Sequence, residues 1–149
     1  MVGCRLAVGK DLQATMCSAT ESELRQLLSQ VGSTNHYGFQ LHSFGDGECT
    51  LLAPFRKDFE RPGSVIAGPL FMAAADVAMW LAIMTKLGVA DGSVTAEMKT
   101  NFLNGAREED IVCHAKILKL GRRLVYGVAE CTNREGKLLT HHTITCIRP

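Results

Sequence analysis

The stretch from Leu70 to Thr85 is almost wholly apolar, and Asp76 is its one charge. It lies in "PGSVIAGPLFMAAADVAMWLAIM", which runs from Pro62 to Met84. Pro69 suits a first helical position, Gly68 reads as its cap and Gly88 as its stop. A helix over 69–87 would be roughly 28 Å long at ~1.5 Å per residue. Its apolar residues are not confined to one face, and a helix that is hydrophobic all round is buried all round. Met72, Met79, Trp80 and Met84 therefore read as core. In a chain of 149 residues the remaining elements must wrap around this helix. A carboxylate in such a place is costly to desolvate. Asp76 is thus satisfied by backbone donors, placed at a subunit interface, or used for chemistry.

The residues that follow supply a wrapper. "SVTAEMKTNFL" alternates, with Val94, Ala96, Met98 and Phe102 on one face and Thr95, Glu97, Lys99 and Asn101 on the other. "DIVCHAKILKL", "RLVYGVAECT" and "KLLTHHTITCI" read as three further strands, joined by the short connections "GR" and "NREG". Connections that short make hairpins, and hairpins pair antiparallel. "ECTLLAPF" (48–55) is an earlier strand free to join the sheet. Before it, Thr20 and Glu23 form a capping box for a helix over 21–31, which Gly32 ends. The expectation is an α+β fold: one long buried helix and an antiparallel meander, in one domain over 1–149. Residues 1–35 form an N-terminal extension carrying the short helix. Strands and helices do not alternate, which excludes a doubly wound α/β protein.

Composition narrows the function classes. A formal net charge of +1 gives no field for nucleic acid or an anionic membrane surface. The apolar run falls short of the ~18–20 residues of a comfortable membrane span, and Asp76 interrupts it. The N-terminus has no continuous apolar core of a secretory signal, so a cytosolic protein is expected. The six cysteines include no CxxC pair and read as reduced, structural thiols. His141 and His142 are adjacent, so on a strand they face opposite ways and make no metal set. No GxSxG elbow of a serine hydrolase is present.

The stretches "GSVIAGPLFMAAADVAM", "SVTAEMKTNFL", "EDIVCHAKILKLGRRLVYGVAECTN" and "EGKLLTHHT", in this order, resemble the hot-dog fold. Within it they are similar to the phenylacetyl-CoA group of acyl-CoA thioesterases. The resemblance covers about residues 38–147. It implies a curved antiparallel sheet around a central helix, dimers through joined sheets that often pair into tetramers, and active sites between subunits. The family's His-Gly-Gly corresponds to Ala67-Gly68-Pro69, and its catalytic carboxylate, nine residues after the His, falls on Asp76. Thr95 falls where a Ser or Thr helps position water. Gly121, Arg122 and Arg123 fall where small and basic residues lie near coenzyme A. Ala67 and Arg61 stand where the family has His and Asn.

The resemblance implies hydrolysis of an acyl- or aryl-coenzyme A thioester, with no resident cofactor because coenzyme A is part of the substrate. Asp76 can act as general base toward water or as nucleophile. The helix N-terminus at Gly68, with Leu70 as the next donor past Pro69, can hold a developing oxyanion. Arg122 and Arg123 can meet phosphates. Arg61 can face substrate, or pair with Glu60 or Asp58. Asn101, counted on the face of Thr95, can contact substrate or an interface. Eight residues separate Gly68 from Asp76, roughly 12 Å along a helix. That span is too long for one carbonyl, so a neighbouring subunit's Gly68 is expected to complete the site. The alternatives are a non-catalytic acyl-CoA binding module and a hot-dog dehydratase. The latter would want a His where Ala67 stands.

Overall fold

The computed structural model describes residues 17–149. The start of the extension over 1–35, including Cys4, lies outside the described residues. The expected helix spans Gly68–Leu87 (α3). It begins one residue earlier than its punctuation suggests: Ala67 is the cap, Gly68 the first helical residue and Pro69 the second. Gly88 ends it at φ 86°.

Six antiparallel strands surround α3: Gln40–Gly45 (β1), Glu48–Ala53 (β2), Val94–Phe102 (β5), Ile111–Leu120 (β6), Leu124–Thr132 (β7) and Leu138–Ile147 (β8). Their order across the sheet is β1-β2-β6-β7-β8-β5. A separate two-stranded ribbon, Glu60–Arg61 (β3) with Val65–Ile66 (β4), leads into the helix. α3 touches all six strands of the sheet. One face of each central strand supplies the core through alternating residues such as Cys113, Ala115, Ala129 and Ile144. β1 has no alternating pattern of its own. Its signal in the sequence is the Asp46-Gly47 turn, where Gly47 at φ 80° closes the hairpin onto β2.

The capping box opens a helix over Glu21–Gln30 (α1), with Thr20 and Glu23 satisfying each other's amides. Gly32 does not end the helical region. Val31 closes α1 and also caps a second short helix, Gly32–Tyr37 (α2). Leu24 and Leu28 of α1 are buried, and the Arg25 guanidinium donates to the Leu41 carbonyl. Ser18 ties the segment before α1 to the far end of α3 through the carbonyls of Thr85 and Lys86.

The expectation of a helix buried all round is corrected. α3 is long and apolar enough to cross a membrane by length and composition, yet most of it is buried against the sheet. One stripe in its first three turns is left uncovered: Pro69, Met72, Ala73, Asp76, Val77 and Trp80 are exposed or half-buried. Their spacing of three and four residues makes one face. Met79 and Met84 are core as expected, whereas Met72 and Trp80 belong to this stripe. The other faces carry Ala74, Ala75, Ala78 and Ala82, all at 0% exposure, so the sheet approaches closely.

The fully buried polar side chains are paired, whereas Glu60 Oε1 and Ser93 Oγ are buried without a partner among the described residues. Buried His142 sits between the hydroxyls of Thr100 (2.9 Å) and Thr140 (2.8 Å), while His141 lies on the other face. Cys113 and Cys131 are direct cross-strand partners. A hydrogen bond between their sulfurs, in a buried site, drives the Cys113 thiol up. Burial pushes Cys49 up to about 12. Thr85, fully buried near the end of α3, accepts from the Gly47 amide at 2.8 Å and donates to the Ala82 carbonyl at 2.7 Å. Thr85→Val would leave the Gly47 N–H buried without an acceptor. The expected cost is about 1–3 kcal/mol, read as a lower urea midpoint at unchanged slope.

Candidate active site

Asp76 projects from the uncovered stripe of α3 toward the start of β5. The Thr95 hydroxyl donates to its Oδ1 at 2.7 Å. The same hydroxyl lies 3.7 Å from the Cys146 sulfur on β8. Burial raises the Cys146 thiol, a hydrogen bond with Thr95 pulls it down, and the Asp76 carboxylate pushes it up again. Asp76 accepts no second hydrogen bond among the described residues, so Oδ2 is available. The carboxylate opens onto a cavity of about 190 Å³ that it shares with Val31, Ser33, Thr34, Val77 and Trp80. Asp76 is therefore half-buried in one chain rather than enclosed in the core.

Gly68 faces a different cavity, of about 380 Å³, walled by Val65, Phe71, Phe102 and Leu103 with Arg61 and Asn104. The ring of Phe102 lies over it: a Cβ on Gly68 would stand 3.2 Å from two ring carbons. Of the two donors named from the sequence, Leu70 is spent on the Ala67 carbonyl at 3.2 Å. The Ala67 amide is spent on the Phe59 carbonyl at 2.8 Å. The Gly68 N–H meets no acceptor among the described residues. The helix dipole places partial positive charge at this amide. The carboxylate and the free amide thus line separate cavities, eight residues and roughly 12 Å apart along the helix.

Asn101 does not share the face of Thr95, contrary to the alternation counted from the sequence. The register of β5 against β8 shifts between Thr95 and Glu97, where one extra residue bulges out. A bulge reverses the inward parity beyond it. Thr95 points inward to Asp76, and after the bulge the even-numbered residues do: Thr100 reaches His142 and Phe102 reaches Phe71. Asn101 pairs with His141 on the outer side. Within one chain it lies away from Thr95 and Asp76, on the outer side of the edge strand.

Gly121, Arg122 and Arg123 form the β6–β7 turn. Gly121 is required there, since a Cβ would lie 2.9 Å from the Leu124 carbonyl oxygen. Arg148 braces the turn, its guanidinium donating to the Gly121 carbonyl and its amide to that of Arg123. Leu124 and Val94 both pair with Ile147, so the two turn arginines lie at the Thr95 end of the sheet, away from Gly68. Both arginines are exposed and in no ion pair among the described residues. Arg61 pairs with neither acid suggested for it. Asp58 faces Arg56 at 3.5 Å, and Arg61 makes only a long contact, 3.4 Å, to the Pro62 carbonyl.

Apart from Thr95, the residues around the carboxylate carry little signal in the sequence. Ser33 and Thr34 come from α2, a helix too short to show a period, and Trp80 lies in an apolar run that reads as core. Phe102 carried a usable signal, its place on the apolar face of β5.

Comparison with known proteins bears on the family and the fold. A family model described as the thioesterase superfamily matches residues 63–140. A protein of Saccharolobus solfataricus, provisionally named an esterase, is 33% identical over 104 residues, 70% of this chain and 69% of that protein. The crystal structure of a thioesterase from Haemophilus influenzae superposes with a TM-score of 0.82 at 22% identity, covering 90% of this chain and 94% of that one. A hypothetical thioesterase from Streptococcus pneumoniae, solved with coenzyme A, gives 0.68 at 15% identity over 74% of this chain and 85% of that one. The two structures establish the hot-dog fold expected from the sequence.

Proposed function

The chain belongs to the thioesterase superfamily, and from that membership we propose that it hydrolyses an acyl- or aryl-coenzyme A thioester at Asp76. The observation that carries the reading is the hydrogen bond from Thr95 to Asp76 at the mouth of a cavity. A core carboxylate kept for packing would be closed over. This one keeps an oxygen for water or substrate, and a hydroxyl fixes its orientation.

In the proposed reaction the substrate carbonyl oxygen takes the Gly68 N–H of a neighbouring subunit. Asp76 Oδ2 removes a proton from water as the water attacks the carbonyl carbon, or attacks that carbon itself. The tetrahedral oxyanion is held by the amide until the C–S bond breaks. The leaving thiolate takes back the proton that Asp76 removed from water. In the nucleophilic route it takes one from solvent instead, after which water hydrolyses the acyl-Asp76 anhydride and frees the acid and the carboxylate. Nothing in this sequence calls for a resident cofactor. Arg122 and Arg123, exposed in the turn at the Thr95 end of the sheet, are the proposed partners of the coenzyme A phosphates. The coenzyme A bound by the Streptococcus pneumoniae neighbour supports that leaving group. The second subunit also answers the uncovered stripe of α3, which places apolar Met72, Val77 and Trp80 beside the carboxylate. An edge strand, β5, lies next to it with Val94 and Phe102 exposed.

A panel of short, medium-chain and aryl acyl-CoAs, followed by release of free thiol, tests the activity. Tight binding without thiol release would make the protein a binding module instead. Repeated turnover in H₂¹⁸O labels the Asp76 peptide only if Asp76 is the nucleophile. The shared site has its own test. Gly68→Pro removes the amide at a first helical position that proline's backbone fits, and Asp76→Asn removes the base. The proline ring crowds Phe102, where a Cβ would already stand 3.2 Å away, so Gly68→Ala, which keeps the amide, controls for that contact. Gly68→Pro and Asp76→Asn alone are each expected to be inactive. Mixed and reassembled, they are expected to recover about a quarter of wild-type activity, because half of random dimers are mixed and each holds one intact site of two. No recovery, or an active species with the mass of a monomer, overturns the inter-subunit site.

A further inference from the structure

The cavity at Gly68 has one charged side chain, Arg61, in a mostly apolar lining that also includes Asn104. Its floor is the edge-to-face pair of Phe71 and Phe102, with ring centroids 6.5 Å apart, and its sides are Val65 and Leu103. No carboxylate lines it. Arg61 does, and its guanidinium is uncommitted: five N–H donors face one carbonyl at 3.4 Å. The residue is not on a loose loop. Arg61 pairs with Val65 across the β3–β4 ribbon, Arg107 clamps the turn through the Gly63 carbonyl at 2.9 Å, and the Ile66 amide reaches the Ala106 carbonyl at 3.0 Å. A built ribbon thus carries an unpaired guanidinium to the rim of an apolar cavity next to a free helix-terminal amide. A cavity of about 380 Å³ is of ligand size. Apolar walls suit an acyl body better than a diphosphate, and an unpaired guanidinium at their rim suits a terminal carboxylate.

We propose that this cavity receives the acyl part of the substrate and that Arg61 selects acyl groups bearing a second carboxylate, making monothioesters of dicarboxylic acids the preferred substrates. The proposal rests on the thioesterase reading and deepens it. A two-point contact between guanidinium and carboxylate favours the dicarboxylic chain over a neutral chain of equal length, because only the former gains the charge-assisted pair.

The test compares glutaryl-CoA with pentanoyl-CoA, and the same two acyl groups on pantetheine, in wild type, Arg61→Gln and Arg61→Lys. Wild type is expected to favour the glutaryl ester by about 10–100-fold in kcat/KM on both carriers. Arg61→Gln is expected to bring that ratio close to one, and Arg61→Lys to restore part of it. Equal rates on the two acyl groups in wild type overturn the inference and leave the thioesterase reading standing. A loss in Arg61→Gln that is equal for both acyl groups and confined to the coenzyme A esters also overturns it, since Arg61 then reads the coenzyme phosphates. Cleavage of other acyl- or aryl-CoAs of the panel but of none of these four esters overturns the inference, whereas no cleavage of any ester in the panel means that the thioesterase reading fails instead. The cavity is then judged by thermal shift with free glutarate against pentanoate. Stabilisation by glutarate that Arg61→Gln abolishes supports the anion site, and no difference overturns it.

Discussion

Asp76→Asn is expected to lower kcat by about 10²–10⁴ while leaving the protein folded. Asn keeps the size of the side chain and an oxygen that can accept from the Thr95 hydroxyl, now 2.7 Å from Oδ1. Asp76 is half-buried, so the exchange neither opens a cavity nor strands a buried charge. What it removes is the basic oxygen. A loss in kcat with little change in KM and in thermal midpoint is the signature of a group that acts in the transition state. A structural carboxylate would show the reverse, a lower midpoint with activity retained in the folded fraction. Thr95→Val separates orientation from chemistry. It leaves the base and removes the hydroxyl that fixes it, so a loss of about tenfold is expected. An Asn variant as fast as wild type would remove Asp76 from the mechanism.

The largest effect on stability is expected at Gly127, in the middle of β7 under α3. A Cβ there would stand 2.4 Å from the Met79 terminal methyl and 2.6 Å from the Lys116 carbonyl oxygen on β6. The methionine end can swing away. The carbonyl belongs to the sheet ladder and cannot move without breaking register. Gly127→Ala is expected to cost about 3 kcal/mol or more, roughly 6–12 °C in Tm for a domain of this size. Pairing it with Met79→Ala tests the cause: the double variant should recover only the part due to the side chain. Full recovery would mean that the helix, rather than the strand, sets the clash.

Much of this architecture was legible locally. The α3 run announces itself by its length of apolar residues, by Pro69 and by Gly88. The meander is read from short connections, and the α1 start from the Thr20–Glu23 pair. Each signal involves neighbours in the chain, where propensity and period act directly. Asp76 stood out for the same reason, as one charge in a long apolar run. The less legible features depend on pairing. Ala96 looks like any alternating strand residue. Only the register of β5 against β8 shows that one residue there is extra, and that single shift moves Asn101 to the outer face. β1 and α2 are too short or too irregular to carry a period.

Taken alone, the amino-acid sequence determined a buried central helix, an antiparallel sheet to wrap it and a carboxylate whose cost needed a reason. Tertiary structure decided which neighbours that carboxylate has. It brought Thr95, from another element, into hydrogen-bond distance of Asp76. It put the Gly68 amide and Arg61 in a separate cavity and left one stripe of α3 uncovered. Periodicity reports which face of an element is apolar, but coverage of that face depends on what the other elements can reach. Six strands around a helix of 20 residues cover most of it and leave open the stripe that carries Asp76.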